Sequence, residues 1–412
     1  MTAFYPIGMS LQMLLAGIVA GWKTGPFLIS PLSALLSILL MYLIGQELGL
    51  TRWYAFAGAV RLAICPVFIY IGLLPMSDVN ATMWALLTIF AALRTRQNNY
   101  WALLVGAAFG MAFLVRPTNI FLLLPVFCCF PLKPKPLTLF VLSGAPLAVI
   151  FFSFNWVAYG NFLQTGYGRI GLYKSITANN FVLNFKHYVS WVAMGLSPLV
   201  LLGWVAVAGD RKAHWRDRAL LISWFGTFFL FYCCYEPFFG WWFSRFLLPG
   251  IPALILGTLL VTKHTIEYAA DKLSMNHTKS SWAIMTVLMT IVFWFALGTI
   301  QKQLILEIGK GQYAFSRTCR IIDAQLPQQS LVVAMEMSGA LKYYTGRSIL
   351  RWDAVHLDQW QMLKRRAAEK EFRWYALLME HEVVEAQKRV LGNWSKLGDY
   401  APISLWQIEP ER

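Results

Sequence analysis

Residues 26–46 read PFLISPLSALLSILLMYLIGQ, a run without a charged side chain. A helix of that length rises about 30 Å, the thickness of a bilayer's hydrocarbon core. The same reading extends outward to 54–74, 79–93, 100–115, 117–131, 137–158, 188–208, 219–235, 246–262 and 281–300, of which the third to fifth in chain order are short. Ser10 to Gly21 is apolar too, but it reaches only about 18 Å and is expected to lie at the interface. The expected fold class is therefore a polytopic α-helical membrane protein, with about ten spans plus a juxtamembrane helix and a small C-terminal α/β soluble domain. The domains are expected at 1–300 and 301–412.

Composition agrees. Hydrophobic residues make up 58% of the chain and charged residues 13%, against about 25% charged in ordinary soluble domains. The net charge of +15 is unevenly placed: up to Thr299 there are 19 Lys and Arg against 7 Asp and Glu, and beyond it 16 against 13. These cations stand singly in short loops between apolar runs, which is the pattern of topology signals and excludes nucleic acid as a partner. The six cysteines form no disulfide framework. Cys65, Cys128, Cys129, Cys233 and Cys234 sit in apolar runs, Cys319 has no obvious mate, and all read as small core residues.

Alternating spans place Arg52, Arg94, Arg96, Lys133, Lys135, Arg211, Lys212, Arg216, Arg218, Lys263, Lys272 and Lys279 on one side. That side is expected to be cytoplasmic. The other side carries Lys23, Arg116 and Arg245, plus three cations in a long loop from Tyr159 to His187. An even number of spans then puts Tyr5 and the C-terminal domain outside. That domain reads as alternating short segments: strands at Leu331–Met335, Ser348–Leu350, Trp374–Met379 and Ile403–Ile408, and helical stretches at Ser338–Tyr344, Asp358–Lys370 and Glu382–Leu391. Such alternation predicts an at least partly parallel sheet.

Three outer turns hold the residues that could carry chemistry. Pro75-Met76-Ser77-Asp78-Val79-Asn80 sets an acid at the mouth of a helix, where Asp78 could cap the helix, bind a divalent cation or orient an acceptor hydroxyl. Val115-Arg116-Pro117 and Trp241-Trp242-Phe243-Ser244-Arg245-Phe246 each present a guanidinium, which could snorkel to headgroups or grip a phosphate. Arg61, inside the span 54–74, is expected to snorkel to the surface, with an internal ion pair as the alternative. Asn80, Asn276 and Asn393 open Asn-x-Ser/Thr triplets from which nothing is drawn. In the C-terminal domain Arg351 and Asp353 could position an acceptor or form a salt-bridged strand end, and Tyr343 and Tyr344 read as core.

Taken in order, Phe4-Tyr5-Pro6-Ile7-Gly8, Met76-Ser77-Asp78, Val115-Arg116-Pro117, the run from Tyr159 to Gly168, the Trp241-to-Pro249 run, Ser338 to Arg347 and Arg351-Trp352-Asp353 resemble the GT-C glycosyltransferases. The likeness is to bacterial relatives of the protein O-mannosyltransferases and the lipid A aminoarabinose transferase. The resemblance implies sugar transfer from a polyprenyl-phosphate carrier to a glycan, lipid or protein acceptor outside the cytoplasmic (inner) membrane, by inverting displacement at the anomeric carbon. It implies Asp78 as a catalytic acid residue of the outer face, and Arg116 and Arg245 as ligands of the lipid phosphate. Arg351 and Asp353 are then expected on the acceptor side, with a divalent cation as a possible cofactor.

Relatives begin with a membrane helix and an outer loop bearing the acid expected to act as base, and Met1 falls beyond both. A start site read too late, or a truncated non-catalytic relative that binds glycan or lipid, are the two alternatives. A transporter or flippase is a third reading. It would bring ionisable groups or broken helices to the membrane midplane, often in repeated halves, and the sequence displays neither clearly.

Overall fold

A computed structural model describes residues 5–166, 176–273, 277–355 and 357–409. Phe4, and the Tyr167 and Gly168 that end the outer-loop run, lie outside them. The chain divides into two units, 1–306 and 307–412.

Among the described residues the first unit is helical, without a strand. It runs α1 (Ile7–Ala20), α2 (Gly25–Glu47), α3 (Arg52–Ala63), α4 (Pro66–Gly72), α5 (Ser77–Arg94) and α6 (Trp101–Val115), then a 3-10 stretch (Pro117–Leu122) and α7 (Leu123–Cys129). There follow α8 (Pro134–Tyr159), α9 (Phe181–Leu196), α10 (Pro198–Val207), α11 (Trp215–Cys233), a second 3-10 stretch (Trp241–Leu247), α12 (Ile251–Lys272) and α13 (His277–Lys302). Several of these are apolar in the manner of a multi-pass membrane protein. Among the described residues, three helices are long and apolar enough to cross a membrane, or up to six if each bent pair counts as one span.

Three segments that read as continuous spans are broken. The bend is 61° between α3 and α4, 106° between the Ala178–Leu196 stretch and α10, and 78° between the Trp241–Leu247 stretch and α12. Each second half opens on a proline in its first two positions, Pro66, Pro198 or Pro252. In all three the missing N–H costs nothing in a first turn, and at Pro66 and Pro198 the steric demand on the preceding residue, Cys65 or Ser197, ends the first half.

Burial explains why hydropathy undercounts the rest. In α5, which carries Ser77, Asp78, Asn80, Thr82 and Thr88, nearly every side chain from Asp78 to Leu93 is buried. This helix is surrounded by protein, so its polar groups find protein partners. By contrast α8 buries only Pro136, Phe151 and Asn155 and turns apolar side chains outward.

Arg61 corrects its expected placement. It is 6% exposed, does not snorkel, and pairs with no carboxylate among the described residues. Its Nη2 donates to the Leu196 carbonyl, at the end of α9 where the chain breaks through Ser197 at φ 75°. A helix C-terminus has carbonyls without intrahelical partners and a negative dipole end, and a guanidinium satisfies both.

The segment read as interfacial, α1, is fastened into the bundle. Gln12 and Asn80 exchange amide hydrogen bonds of 2.9 Å, Asn80 Nδ2 also donates to Ser33 Oγ at 2.8 Å, and Trp84 Nε1 donates to Gln12 Oε1 at 3.2 Å. Gly8 lets the helix in: a Cβ there would stand 2.5 Å from the backbone of Leu114 and Val115.

The second unit opens with α14 (Ile308–Gln325), then β1 (Ser330–Val333), α15 (Ser338–Tyr344), β2 (Ser348–Leu350), α16 (Leu357–Glu369), β3 (Arg373–Met379), α17 (Val383–Arg389), β4 (Asn393–Tyr400) and β5 (Ile403–Glu409). The sheet order is β2-β1-β3-β5-β4, with β2, β1 and β3 parallel and the β3/β5 and β5/β4 pairs antiparallel. Strand alternation sends Tyr375 and Leu377 to the face covered by Cys319, Ile322 and Leu341, and Trp374, Ala376 and Leu378 to the face holding Trp352, Trp360 and Ala386.

Two elements here were not read from the sequence. In α14, Gly309 and Gly311 weaken the helical signal, and β4 has an almost wholly exposed or half-exposed pattern held by pairing with β5. Arg347, its side chain 3% exposed, closes the end of α14 by donating to the Asp323 and Leu326 carbonyls at 2.6 and 2.8 Å. Tyr344 packs on the core, whereas Tyr343 is exposed.

Candidate active site

The start of α5, the end of α6 and the second 3-10 stretch converge on one carboxylate. Met76 is the N-cap of α5, so Asp78 is the second residue of the helix rather than its cap. Its position in the first turn still suits the helix dipole. The side chain is 4% exposed, and its Oδ1 accepts from Arg116 Nη1. Arg245 Nε stands 3.9 Å from the same oxygen.

Local sequence aims both cations. Pro117 forces Arg116 into an extended conformation (φ −145°, ψ 114°), so α6 stops there and the side chain turns inward. Gly240, at φ 130°, is the residue type that tolerates such a turn. It starts the 3-10 stretch, whose Trp241 packs edge-on against Tyr70 of α4, centroids 4.9 Å apart. Four residues on, Arg245 reaches Asp78. The side chains of Arg116 and Arg245 are only 14% and 19% exposed, which sets aside snorkelling for both.

An aromatic floor completes the cluster. Phe246 lies under both guanidiniums, whose carbons are 5.3 Å (Arg116) and 5.4 Å (Arg245) from its centroid. Arg245 also covers Phe243 at 5.3 Å. Tyr232 of α11 stacks on Phe246 at 5.2 Å and donates its hydroxyl to Thr118 Oγ1 at 3.0 Å. Among the described residues, two cations beside one carboxylate leave a local surplus of positive charge. Arg245 Nε is buried and has no hydrogen-bond partner among the described residues, and Nη1 has found only the Met76 sulfur at 3.4 Å, a weak acceptor. Chemically, the arrangement is a preformed anion receptor.

Sequence reasoning reached Asp78, Arg116 and Arg245, and the structure brings these three together. It did not reach Phe246, Tyr232 or Thr118, whose aromatic and hydroxyl side chains are indistinguishable in sequence from ordinary core. Arg351 and Asp353 belong to the second unit. There they engage each other, with Arg351 Nε donating to Asp353 Oδ1 at 2.9 Å and Nη2 to Oδ2. At Asp78, Oδ1 accepts from Arg116 and faces Arg245. Among the described residues no three His, Cys, Asp or Glu side chains group as metal ligands.

Residues 6–157 match the sequence model of the dolichyl-phosphate-mannose-protein mannosyltransferase family. This stretch contains Asp78 and Arg116. No curated protein matches the chain in sequence. Among solved structures, ArnT from Cupriavidus metallidurans bound to undecaprenyl phosphate superposes with TM-score 0.60 at 14% identity, covering 98% of this chain and 87% of that one. Its apo form gives 0.61 at 12%, with coverages of 98% and 88%. The archaeal oligosaccharyltransferase AglB from Archaeoglobus fulgidus, in complex with an inhibitory peptide and a dolichol-phosphate, gives 0.51 at 11%, covering 97% of this chain and 66% of that one. The family match covers less than half of the chain and likens that stretch to the mannosyltransferases, while the superpositions show that the chain shares the fold of ArnT and AglB.

Proposed function

We propose that this protein transfers a glycosyl group from a polyprenyl-phosphate-linked sugar to an acceptor on the outer face of the cytoplasmic membrane, with the second unit on that face. The observation that carries the reading is the pair of guanidiniums at Asp78. Undecaprenyl phosphate and dolichol-phosphate are bound by two of the similar structures, and a lipid phosphate is the anion such a pair suits.

In the reaction an acceptor oxygen forms a bond to the anomeric carbon while the bond from that carbon to the phosphate oxygen breaks. The phosphate leaves with the electron pair, and the acceptor's proton passes to a base. Arg116 and Arg245 stabilise the departing phosphate, where charge grows in the transition state. Asp78 holds the two forks at a common point before the donor arrives. As the carboxylate beside the two guanidiniums it is also the candidate to orient the acceptor or take its proton.

The test is transfer in proteoliposomes holding the full chain, given radiolabelled polyprenyl-phosphate sugars and a cell-envelope acceptor extract. Label is expected to reach acceptor, and Arg245→Ala is expected to abolish transfer in a correctly inserted protein. Transfer unaltered by Arg245→Ala removes the arginine from the site. No transfer from any donor tested overturns the enzymatic reading.

The three broken helices and the buried Arg61 are features a transporter would also have. A flippase would translocate labelled lipid across the proteoliposome without acceptor, which the same preparation measures.

A further inference from the structure

The second unit holds a cleft of about 380 Å3 between one face of α14 and the turn that joins β4 to β5. Lys310, Tyr313 and Arg317 follow one another at helical spacing along that face, Thr318 stands beside them, and Asp399 and Tyr400 close the far side. Tyr400 donates its hydroxyl to Gln325 Oε1 at 2.7 Å, which braces the turn against the end of the helix. The volume falls within that of small-molecule sites, about 300–1,000 Å3.

Three of these side chains are left unengaged among the described residues. Thr318 is 3% exposed, yet its hydroxyl makes no hydrogen bond there, and a buried hydroxyl gains from a ligand oxygen that supplies one. Arg317 is exposed and pairs with no carboxylate. The Tyr313 ring, 65% exposed, stacks on no other ring. The other charges of the cleft are matched close by, Lys310 with Glu307 at 3.2 Å and Asp399 with Lys396 at 2.5 Å.

The charge count selects the ligand. A carboxylate carries one charge and accepts two parallel N–H bonds from a guanidinium, so it matches Arg317 alone. A phosphate monoester carries nearly two charges, which would leave one unmatched beside Asp399. The exposed ring suits the apolar C–H face of a pyranose, and the free Thr318 hydroxyl suits a polyol.

We propose that this cleft binds a uronic-acid sugar of the acceptor glycan. The sugar carboxylate lies on Arg317, its C–H face on Tyr313 and one of its hydroxyls on Thr318. An acidic peptide could meet Arg317 but offers neither the flat face nor the hydroxyls. The inference rests on the reading of the chain as a glycosyltransferase whose second unit lies on the acceptor's side.

Saturation-transfer NMR on the detergent-solubilised full chain tests it, with methyl glycosides of glucose, galactose and mannose, each as the neutral sugar, the 6-carboxylate and the 6-phosphate. At least one 6-carboxylate is expected to bind about tenfold more tightly than its neutral parent, the equivalent of one charge-assisted hydrogen bond. Arg317→Gln, at an exposed and unpaired position, should remove that preference, and Tyr313→Ala should weaken the neutral and acidic forms alike. No binding of any 6-carboxylate, a preference unchanged in Arg317→Gln, an Arg317-dependent preference for the 6-phosphates, or equal displacement by acetate or a tri-glutamate peptide would overturn the proposal. Binding needs no donor, which separates the two readings. A chain that binds uronides and transfers nothing overturns the enzymatic reading and keeps the sugar site, whereas a chain that transfers but ignores uronides overturns the site alone.

Discussion

Arg116 reaches back across 38 residues to donate to the carboxylate of Asp78, tying the end of α6 to the start of α5. Breaking one side of so buried a pair leaves an unmatched charge and costs about 3–5 kcal/mol, whereas removing both is far milder. Asp78→Ala is therefore expected to lower the thermal midpoint of the detergent-solubilised protein strongly. The double variant with Arg116→Ala should recover part of the loss. A double-mutant cycle without coupling would show that the pair does not act as a unit.

Phe246 lies under both guanidiniums, so it should matter through its ring as well as its volume. Phe246→Leu keeps most of the apolar bulk and removes two cation–π contacts, each worth about 0.5–2 kcal/mol. If the cluster binds the donor phosphate, this variant should raise KM for the donor with little change in folding. Phe246→Ala should also open a cavity and cost about 3–5 kcal/mol of stability. Equal donor KM in wild type and Phe246→Leu would confine the ring to packing.

Gly8 sits where a Cβ would stand 2.5 Å from the backbone of Leu114 and Val115. Backbone cannot yield as a side-chain tip can, so Gly8→Ala should push α1 outward and stretch the Gln12–Asn80 amide pair. The expected cost is about 1–3 kcal/mol, with faster amide hydrogen exchange along α1 as the direct readout. Unchanged exchange would mean that α1 reseats without strain.

In the second unit, burial and then the nearby charge of Asp323 push the Cys319 thiol up from 9.0 to about 12. The folded state holds this proton more tightly than the unfolded chain. The associated stability is therefore complete below about pH 9 and drains away as pH rises toward 12. Native protein should resist thiol reagents at pH 8, and Cys319→Ala should flatten the alkaline decline in unfolding temperature measured between pH 8 and 11. A decline of the same slope in Cys319→Ala would assign it to other groups.

How much of this was legible in sequence depends on the range of the forces involved. Apolar runs such as 26–46 must form helices in lipid, because no other backbone arrangement of a single segment satisfies its own hydrogen bonds there. That is local chemistry, and the helix at Gly25–Glu47 follows from it. The uniformly apolar run from Trp374 to Met379, which forms a strand buried on both faces, is equally local. So is the extended Arg116, which Pro117 imposes by sterics.

Other features are settled by neighbours far along the chain. Whether Asp78 caps a helix or receives an arginine depends on where Arg116 and Arg245 arrive, and Arg245 is set by the Gly240 turn and the seating of Trp241 on Tyr70. Whether Arg61 snorkels depends on the break at Ser197, whose carbonyl-rich helix end offers a better partner than the membrane surface. Strand β4 exists because β5 supplies its hydrogen bonds, since its own side chains bury little. Sequence by itself determined a membrane protein of many helices with an α/β end and marked three charged residues within it. Only the tertiary structure decided that Asp78, Arg116 and Arg245 share one point over Phe246, because a buried charge takes whichever partner the packing of distant segments brings within reach.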